Sequence, residues 1–186
     1  MSETSIKKTK KFERNTESAE KEFEQVIVDI ARVTRVMAGG KRMRFRACVV
    51  VGDRKGRIGY AVAKGADVTL AVNKAVTKAK KSLINVPIIN DTIPHEINVK
   101  IKSAKILIKP ATKGTGVIAG GAVRIVLDLA GVSNAVAKIF GTNNKINNVS
   151  ATIKALKMLK RVEPKKETNA KKSADKKVEK KSETTK

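Results

Sequence analysis

The first third of the chain alternates between hydrophobic and polar residues in a way that predicts three strands. Residues 26–36 are rich in β-branched residues, but Asp29 and Arg32 fall on opposite faces, which predicts a bulge or an edge strand. Residues 43–51 form a second strand, whose polar face carries Arg44 and Arg46. Its apolar face comprises Met43, Phe45, Ala47, Val49 and Val51. A Gly-containing turn at 52–56 then leads into a third strand at 57–62.

The clearest helix in the sequence follows the third strand. Asp67 is a suitable N-cap, and a helical spacing of apolar residues continues to about Leu83. These apolar positions are Val68, Ala71, Val72, Ala75, Val76, Ala79 and Leu83. The region therefore predicts a βββα domain over 23–86, with one helix covering a small antiparallel sheet.

A second domain is predicted over 93–161, after a junction marked by Pro87 and Pro94. Its predicted elements are strands at 96–102 and 105–109, a mostly buried helix at about 117–130, a strand at 134–140 and a last helix capped by Asn148 or Ser150. Together the two halves predict an α+β protein whose second part is a two-layer α/β domain.

Both ends of the chain lack the apolar residues needed to form a core. Residues 1–22 and 162–186 are rich in Lys, Glu, Ser and Thr, and we expect both extensions to be disordered. The Lys-rich tail fits either a solubilising extension or an electrostatic arm, and its interspersed acids favour the first.

The charge of the chain changes this picture from fold to function. Of 186 residues, 41 are Lys or Arg and 17 are Asp or Glu, so the formal net charge is +24. A charge of this size repels itself unless a polyanion balances it, which indicates a nucleic-acid partner. We expect a cytoplasmic protein without a membrane segment, secretory signal, metal site or cofactor, since charges interrupt every apolar run and the chain has one Cys and one His.

Basic residues are concentrated between Arg32 and Arg57, where nine occur with only one acid, Asp53. A solvated face is the ordinary explanation, but seven of the nine are Arg, which binds phosphate through several planar donors. We therefore predict RNA contacts for Arg32, Arg35, Lys41, Arg42, Arg44, Arg46, Arg54, Lys55 and Arg57, and add Lys64, Lys113 and Lys145.

A Gly-rich loop precedes the helix predicted at 117–130. The amides of Gly114, Thr115 and Gly116 could contact a backbone phosphate, although Gly120 and Gly121 could equally serve close helix packing. The spacing departs from both the dinucleotide fingerprint and the phosphate loop of nucleotide hydrolases, and no catalytic carboxylate pair accompanies it. We predict no catalytic residue.

Aromatic residues make up only 3% of the chain, which disfavours sequence-specific reading of single strands through stacked rings. Binding to structured RNA through its shape and phosphates fits better. His95 has no catalytic partners nearby in sequence, and Cys48 is predicted to be a buried small hydrophobe.

Several segments closely resemble the fifth protein of the bacterial small ribosomal subunit, the S-five family. They are GGKRMRFRACVVVGDRKGRIGYAVAKG, KAKKSLINV, PATKGTGVIAGGAVRIVLDLAGV and INNVSATIKAL, which occur in family order over about 23–160. The resemblance implies a double-stranded-RNA-binding-like βββα domain followed by the family's own α/β domain.

The same resemblance implies a structural, non-enzymatic role in the ribosome. It implies binding to small-subunit ribosomal RNA, subunit assembly, decoding accuracy near the path of incoming messenger RNA, and contact with neighbouring small-subunit proteins three, four and eight. It also implies that one loop touches the RNA region bound by spectinomycin. The matching residues are Ala38, Gly39, Gly40, Lys41, Arg42 and Met43.

Two other classes of function remain open from the residues alone. A free double-stranded-RNA chaperone or a DNA-architectural protein would have a similar charge, and co-sedimentation with small subunits through high salt would separate these from a ribosomal protein. A nucleotide phosphotransferase that used the Gly-rich loop would bind ATP.

Overall fold

A computed structural model describes residues 23–160, and its first half is the predicted antiparallel sheet with one helix, joined by a short fourth strand that was not predicted. The elements are β1 (Glu24–Met37), β2 (Gly40–Gly52), β3 (Arg57–Gly65), α1 (Val68–Lys81) and β4 (Ile84–Asn85). The strands lie in the order β1-β2-β3-β4. The extensions predicted at 1–22 and 162–186, and Arg161 at the end of the predicted second domain, lie outside the described residues.

β1 is both bulged and at the edge of its sheet, which confirms both alternatives predicted for it. Its register against β2 shifts between Ile27 and Asp29, so Val28 has no partner across the ladder. Val28 is instead buried in the core. The bulge precedes both Asp29 and Arg32, so it places Asp29 on the same face as Val26 but leaves Asp29 and Arg32 on opposite faces of the strand.

α1 forms where the apolar spacing predicted it and covers one face of the sheet. Asp67 caps it by accepting a hydrogen bond from the Val68 amide at 2.7 Å. The residues buried between α1 and β2 are Ala71, Ala75, Ala79, Ala47, Val49 and Val51. A small-residue stripe allows the helix to lie close to the sheet, so close that a Cβ at Gly65 would stand 2.6 Å from the Ala71 amide nitrogen.

The second half is an α/β layer with one more strand than predicted. Its elements are β5 (Ile97–Ile101), β6 (Ala104–Pro110), β7 (Val117–Ile118), α2 (Gly121–Ala130), β8 (Ala135–Phe140) and α3 (Lys145–Met158), with the strands in the order β5-β6-β8-β7. The predicted start of α2 was wrong, because Val117 and Ile118 pair in parallel with β8.

The predicted cap of the last helix was also wrong. α3 begins at Lys145, and the side chain of Asn144 caps it by accepting from the Ile146 amide at 3.1 Å. Asn148 and Ser150 lie inside the helix. Asn148 is buried and donates through its side-chain amide to the Thr142 carbonyl at 3.1 Å.

The two halves share one hydrophobic core. Cys48, Val50 and Ile58 of the first sheet belong to the same buried cluster as Leu127 of α2 and Val149 of α3. One face of the sheet is thus covered by α1 and the other by the second half, which leaves the middle of β2 buried on both sides. The β2–β3 turn also docks on the end of α2.

In that docked turn, the amide of Arg54 donates to the Leu129 carbonyl at 3.0 Å, and the amide of Gly56 donates to the Ala130 carbonyl at 2.9 Å. Carbonyls in the last turn of a helix have no partner within the helix. The first half therefore completes the hydrogen bonding of a helix in the second half.

Candidate nucleic-acid interface

The far end of the β1–β2 hairpin extends beyond the rest of the sheet. β3 ends at Gly65, opposite Phe45, so residues 40–44 have only β1 as a neighbour. We call residues 33–44 the hairpin arm. Nearly all of it is exposed, and a two-stranded ribbon without a covered face is only marginally stable in water. The arm is therefore placed to meet a partner rather than to support the core.

The tip of the arm is tighter than predicted. The family resemblance implied a loop from Ala38 to Met43, but only Ala38 and Gly39 form the turn, and Gly40 already pairs with Met37. Lys41, Arg42 and Met43 consequently lie in β2. Met43, predicted to face the core, is 46% exposed because the arm lies beyond β3 and α1.

One face of the arm is strongly cationic. The register places Arg35 opposite Arg42, Val33 opposite Arg44, and Arg46 opposite Lys64 of β3. Residues opposite each other point to the same side of a sheet. The cationic face, as we call it, therefore comprises Arg35, Arg42, Arg44, Arg46 and Lys64, and the arm itself contains no acid. A concavity of about 280 Å³ lies there, lined by Val33, Thr34, Arg35, Met37, Arg42, Arg44 and Lys64.

The opposite face of the arm carries the remaining predicted cations of this hairpin. Lys41 pairs with Val36 and Arg32 pairs with Phe45, so both side chains leave from that side. Val36 and Met43 on this face are 74% and 46% exposed. The predicted Arg and Lys residues of the arm thus divide between a cationic face and a mixed cationic and apolar face.

Asp29 connects the base of the cationic face to the second half of the protein. Its carboxylate lies 3.8 Å from an Arg46 guanidinium nitrogen and 3.4 Å from the Lys145 ammonium. Asp29 was not predicted as a site residue, although it interrupted the alternation predicted for the first strand. Lys145 begins α3, where a cation meets the positive end of the helix dipole, so Asp29 offsets an unfavourable position.

The turn at 53–56 does not join this face. Arg54 and Arg57 lie beyond the opposite end of β2, at least about 25 Å along the strand from Arg44. Arg54 pairs with Glu24 at 2.6 Å, and Arg57 pairs with Asp53 at 2.6 Å. The single basic cluster implied by the sequence is therefore two separate groups, and Lys55 is the one exposed cation of the turn that has no ion pair among residues 23–160.

Asp53 organises that turn. Burial raises the pKa of its carboxyl group, but the Arg57 side chain and the amides of Lys55 and Arg57 donate to it and outweigh burial, so the pKa lies below its usual value. The Arg57 guanidinium also stands 5.1 Å from the centre of the Phe23 ring. Both contacts make Arg57 a structural residue of the turn.

The amides of the Gly-rich loop donate to groups within the protein and do not face outward to a phosphate as predicted. The amides of Gly114 and Gly116 both donate to the side-chain oxygen of Asn134, at 3.0 and 3.1 Å, and the Thr115 amide donates to the Thr112 carbonyl at 3.2 Å. All three amides that were predicted to hold a phosphate are occupied. Lys113 remains exposed beside them.

Within residues 23–160 there is no group of three or more metal-ligating side chains, and no helix there is long and apolar enough to cross a membrane. Residues 23–160 thus form a body with one shared core and a projecting cationic ribbon. This architecture is that of a nucleic-acid-binding protein.

Two family models match the chain, and they identify a particular class of nucleic-acid-binding protein. Ribosomal protein S5, N-terminal domain, matches residues 23–87, and ribosomal protein S5, C-terminal domain, matches residues 99–172. The chain belongs to the ribosomal protein S5 family. It is accordingly a structural constituent of the small ribosomal subunit that binds ribosomal RNA, in a family that is structural rather than enzymatic.

Proposed function

We propose that the hairpin arm is the main ribosomal RNA contact of this protein. The observation that carries the proposal is the cationic face, on which Arg35, Arg42 and Arg44 project from a ribbon without a single acid. Self-repulsion among these side chains disfavours the arm in isolation, and RNA phosphates would relieve it. Guanidinium groups suit this contact because each can donate to two phosphate oxygens.

We propose that the other predicted cations contribute to RNA binding to different extents. Arg46, Lys64 and Lys145 extend the cationic face toward the body, and Arg32 and Lys41 contact RNA from the other side of the arm. Lys55 and Lys113 are peripheral contacts. Arg54 and Arg57 are ion-paired within the protein, which favours a smaller role in binding.

The experiment measures binding of the full chain to a small-subunit ribosomal RNA transcript over a range of salt concentrations. Replacing Arg35, Arg42 and Arg44 by Gln should reduce the salt slope by about 0.7–0.9 per lost phosphate contact. The control variant replaces three exposed lysines by Gln. Lys154 and Lys157 lie on α3, and Lys160 lies just after it. An unchanged slope in the arm variant would contradict the proposal.

We further propose the finer roles that the family resemblance suggests. These are subunit assembly, translational accuracy near the incoming messenger RNA, contacts with small-subunit proteins three, four and eight, and a contact of the arm tip with RNA at the spectinomycin site. Depletion in cells should lower the yield of mature small subunits, and arm variants that still incorporate should alter misreading of a reporter.

The domain division predicted from sequence, at 23–86 and 93–161, is part of this proposal. The shared core favours two domains that act as one unit, because movement between them would expose Cys48, Val50 and Leu127. Such a unit would hold the arm at a fixed angle to whatever the second half contacts.

A further inference from the structure

Within residues 23–160, nothing covers the outer face of the second sheet. α2 and α3 pack on its inner face, where Val99, Ile106 and Ile108 are buried. Alternate residues of the same strands point the other way and are exposed or half-buried. These outer residues are Asn98, Lys100, Lys105, Leu107, Lys109, Val136, Lys138, Phe140 and Ile118. No described element lies over them.

Three lysines on this face have no acidic partner within residues 23–160. Lys109 pairs with Glu96 at 3.2 Å, whereas Lys100, Lys105 and Lys138 form no ion pair there. Lys100 lies directly opposite Lys105 across the β5–β6 ladder, and like charges in that position destabilise a sheet. Lys138 is diagonal to Lys105, at about 7–8 Å. An anion in this triangle would relieve the repulsion.

An aromatic ring stands beside the triangle. Phe140 lies directly opposite Lys105 across the β6–β8 ladder, and its side chain is 43% exposed. A ring that faces solvent on an open sheet, next to cations, can stack on an unpaired base while the cations contact the adjoining phosphates. The few aromatics of the chain argued against such a surface, but the fold leaves this ring uncovered.

We propose that the outer face of the second sheet binds an unpaired segment of ribosomal RNA, with Phe140 stacking on a base and Lys100, Lys105 and Lys138 contacting phosphates. The inference rests on the ribosomal RNA-binding function but not on the hairpin arm. The two surfaces lie in different halves of the chain, so one variant set tests each.

The first test measures binding of the full chain to a 12-nucleotide poly(U) strand and to a 12-base-pair RNA duplex. Replacing the three lysines by Gln should lower the single-strand salt slope by about 0.7 per lost contact, while the Lys154, Lys157 and Lys160 control changes less. Phe140→Ala should weaken single-strand binding about 5- to 100-fold, and Phe140→Leu should not restore it. Equal losses in control and test variants, or full binding by Phe140→Leu, would overturn the proposal.

The second test identifies the occupant within the subunit. Asn98 lies on the same face and is uncharged, and Cys48 is buried, so Asn98→Cys can carry a tethered iron chelate on its own. In reconstituted small subunits, hydroxyl radicals from this position should cleave unpaired nucleotides of the ribosomal RNA. Cleavage confined to RNA helices, or cleavage of a neighbouring protein chain without RNA cleavage, would overturn the proposal. Loss of binding by the arm variant alone, with the sheet variants binding like the parent chain, would overturn this proposal and leave the arm proposal standing. Loss by the sheet variants alone would overturn the arm proposal instead.

Discussion

The hydroxyl of Tyr60 donates a hydrogen bond to the hydroxyl of Ser150 at 3.0 Å, which joins β3 of the first sheet to α3 of the second half. The two residues are 90 positions apart in the chain. Because the bond is partly buried at the boundary of the shared core, it helps to hold the two halves in one orientation.

We expect Tyr60→Phe to lower the free energy of unfolding by about 0.5–1.5 kcal/mol, since it removes this hydrogen bond but keeps the ring. Urea unfolding followed by circular dichroism should remain a single transition. Ser150→Ala and the double variant complete a mutant cycle, and additive effects of the two changes would show that the bond contributes nothing.

Gly131→Ala should be far more damaging. Gly131 ends α2 with φ of +87°, and a Cβ there would overlap the carbonyl oxygen of Arg54 in the docked turn. We expect the free energy of unfolding, measured by thermal unfolding, to fall by about 2–4 kcal/mol, because both the backbone and the interface must shift. Gly121→Ala is the matched control, since a Cβ at Gly121 meets nothing within 4 Å. Equal melting temperatures for the two variants would contradict the docking argument.

The elements with a local signal were the ones that the sequence predicted well. Asp67 and the alanines of α1 define that helix within a few residues, because a cap and an apolar stripe are both local. α2 was predicted to start too early, since Val117 and Ile118 fit a helical pattern and reveal a strand only through their pairing with β8. For α3 the sequence offered Asn148 or Ser150 as the cap and missed Asn144, because all three side chains can cap a helix and the local pattern does not separate them.

The site was predictable in composition but not in arrangement. Arg44 and Arg46 share a face because a strand alternates, and this was visible in the sequence. Arg42 was assigned to the preceding loop, and only its pairing with Arg35 places it on the same face. That Arg54 faces an acid at the far end of β2 depends on Glu24, 30 residues away in the chain, and the position of the turn depends on its docking against α2. The partner of Arg57 is local, since Asp53 is four residues away. The occupied amides of Gly114 and Gly116 likewise depend on Asn134, which is 20 and 18 residues away.

Asp53→Asn should destabilise the protein in a way that depends on pH. The folded-state pKa of Asp53 lies below its ordinary value of 3.8, so the carboxylate stabilises the fold above that pH, and this stabilisation is lost as the pH falls through the folded-state pKa. At pH 7 we expect Asp53→Asn to lower the free energy of unfolding by about 1–2 kcal/mol. The effect is modest because Arg57 is half exposed, so solvent screens its ion pair. The difference from the parent chain in urea unfolding should shrink below pH 4, and a constant difference would argue against this account.

Cys48 should react with iodoacetamide only after unfolding. Burial, and then the nearby Asp29 carboxylate, raise the pKa of its thiol to about 11, so little thiolate exists at pH 8. Mass spectrometry should find the folded chain unlabelled under conditions that fully label it in 8 M urea, a concentration chosen to unfold it. Asn98→Cys supplies an exposed thiol in the same protein, and comparable labelling of both thiols in the folded state would contradict the burial of Cys48.

Gly40 is the position at which backbone geometry and the proposed RNA contact can be tested together. Its φ is +143°, and a Cβ there would meet nothing within 4 Å, so a larger residue would be resisted by the backbone and not by crowding. Gly40→Val should cost on the order of 1–3 kcal/mol at the arm tip while the body stays folded. If the tip contacts RNA at the spectinomycin site, the distortion should displace that RNA and reduce drug sensitivity. Growth inhibition by spectinomycin in cells that carry only the variant, alongside small-subunit levels, measures this. Unchanged sensitivity with full incorporation would mean that the turn only connects β1 to β2.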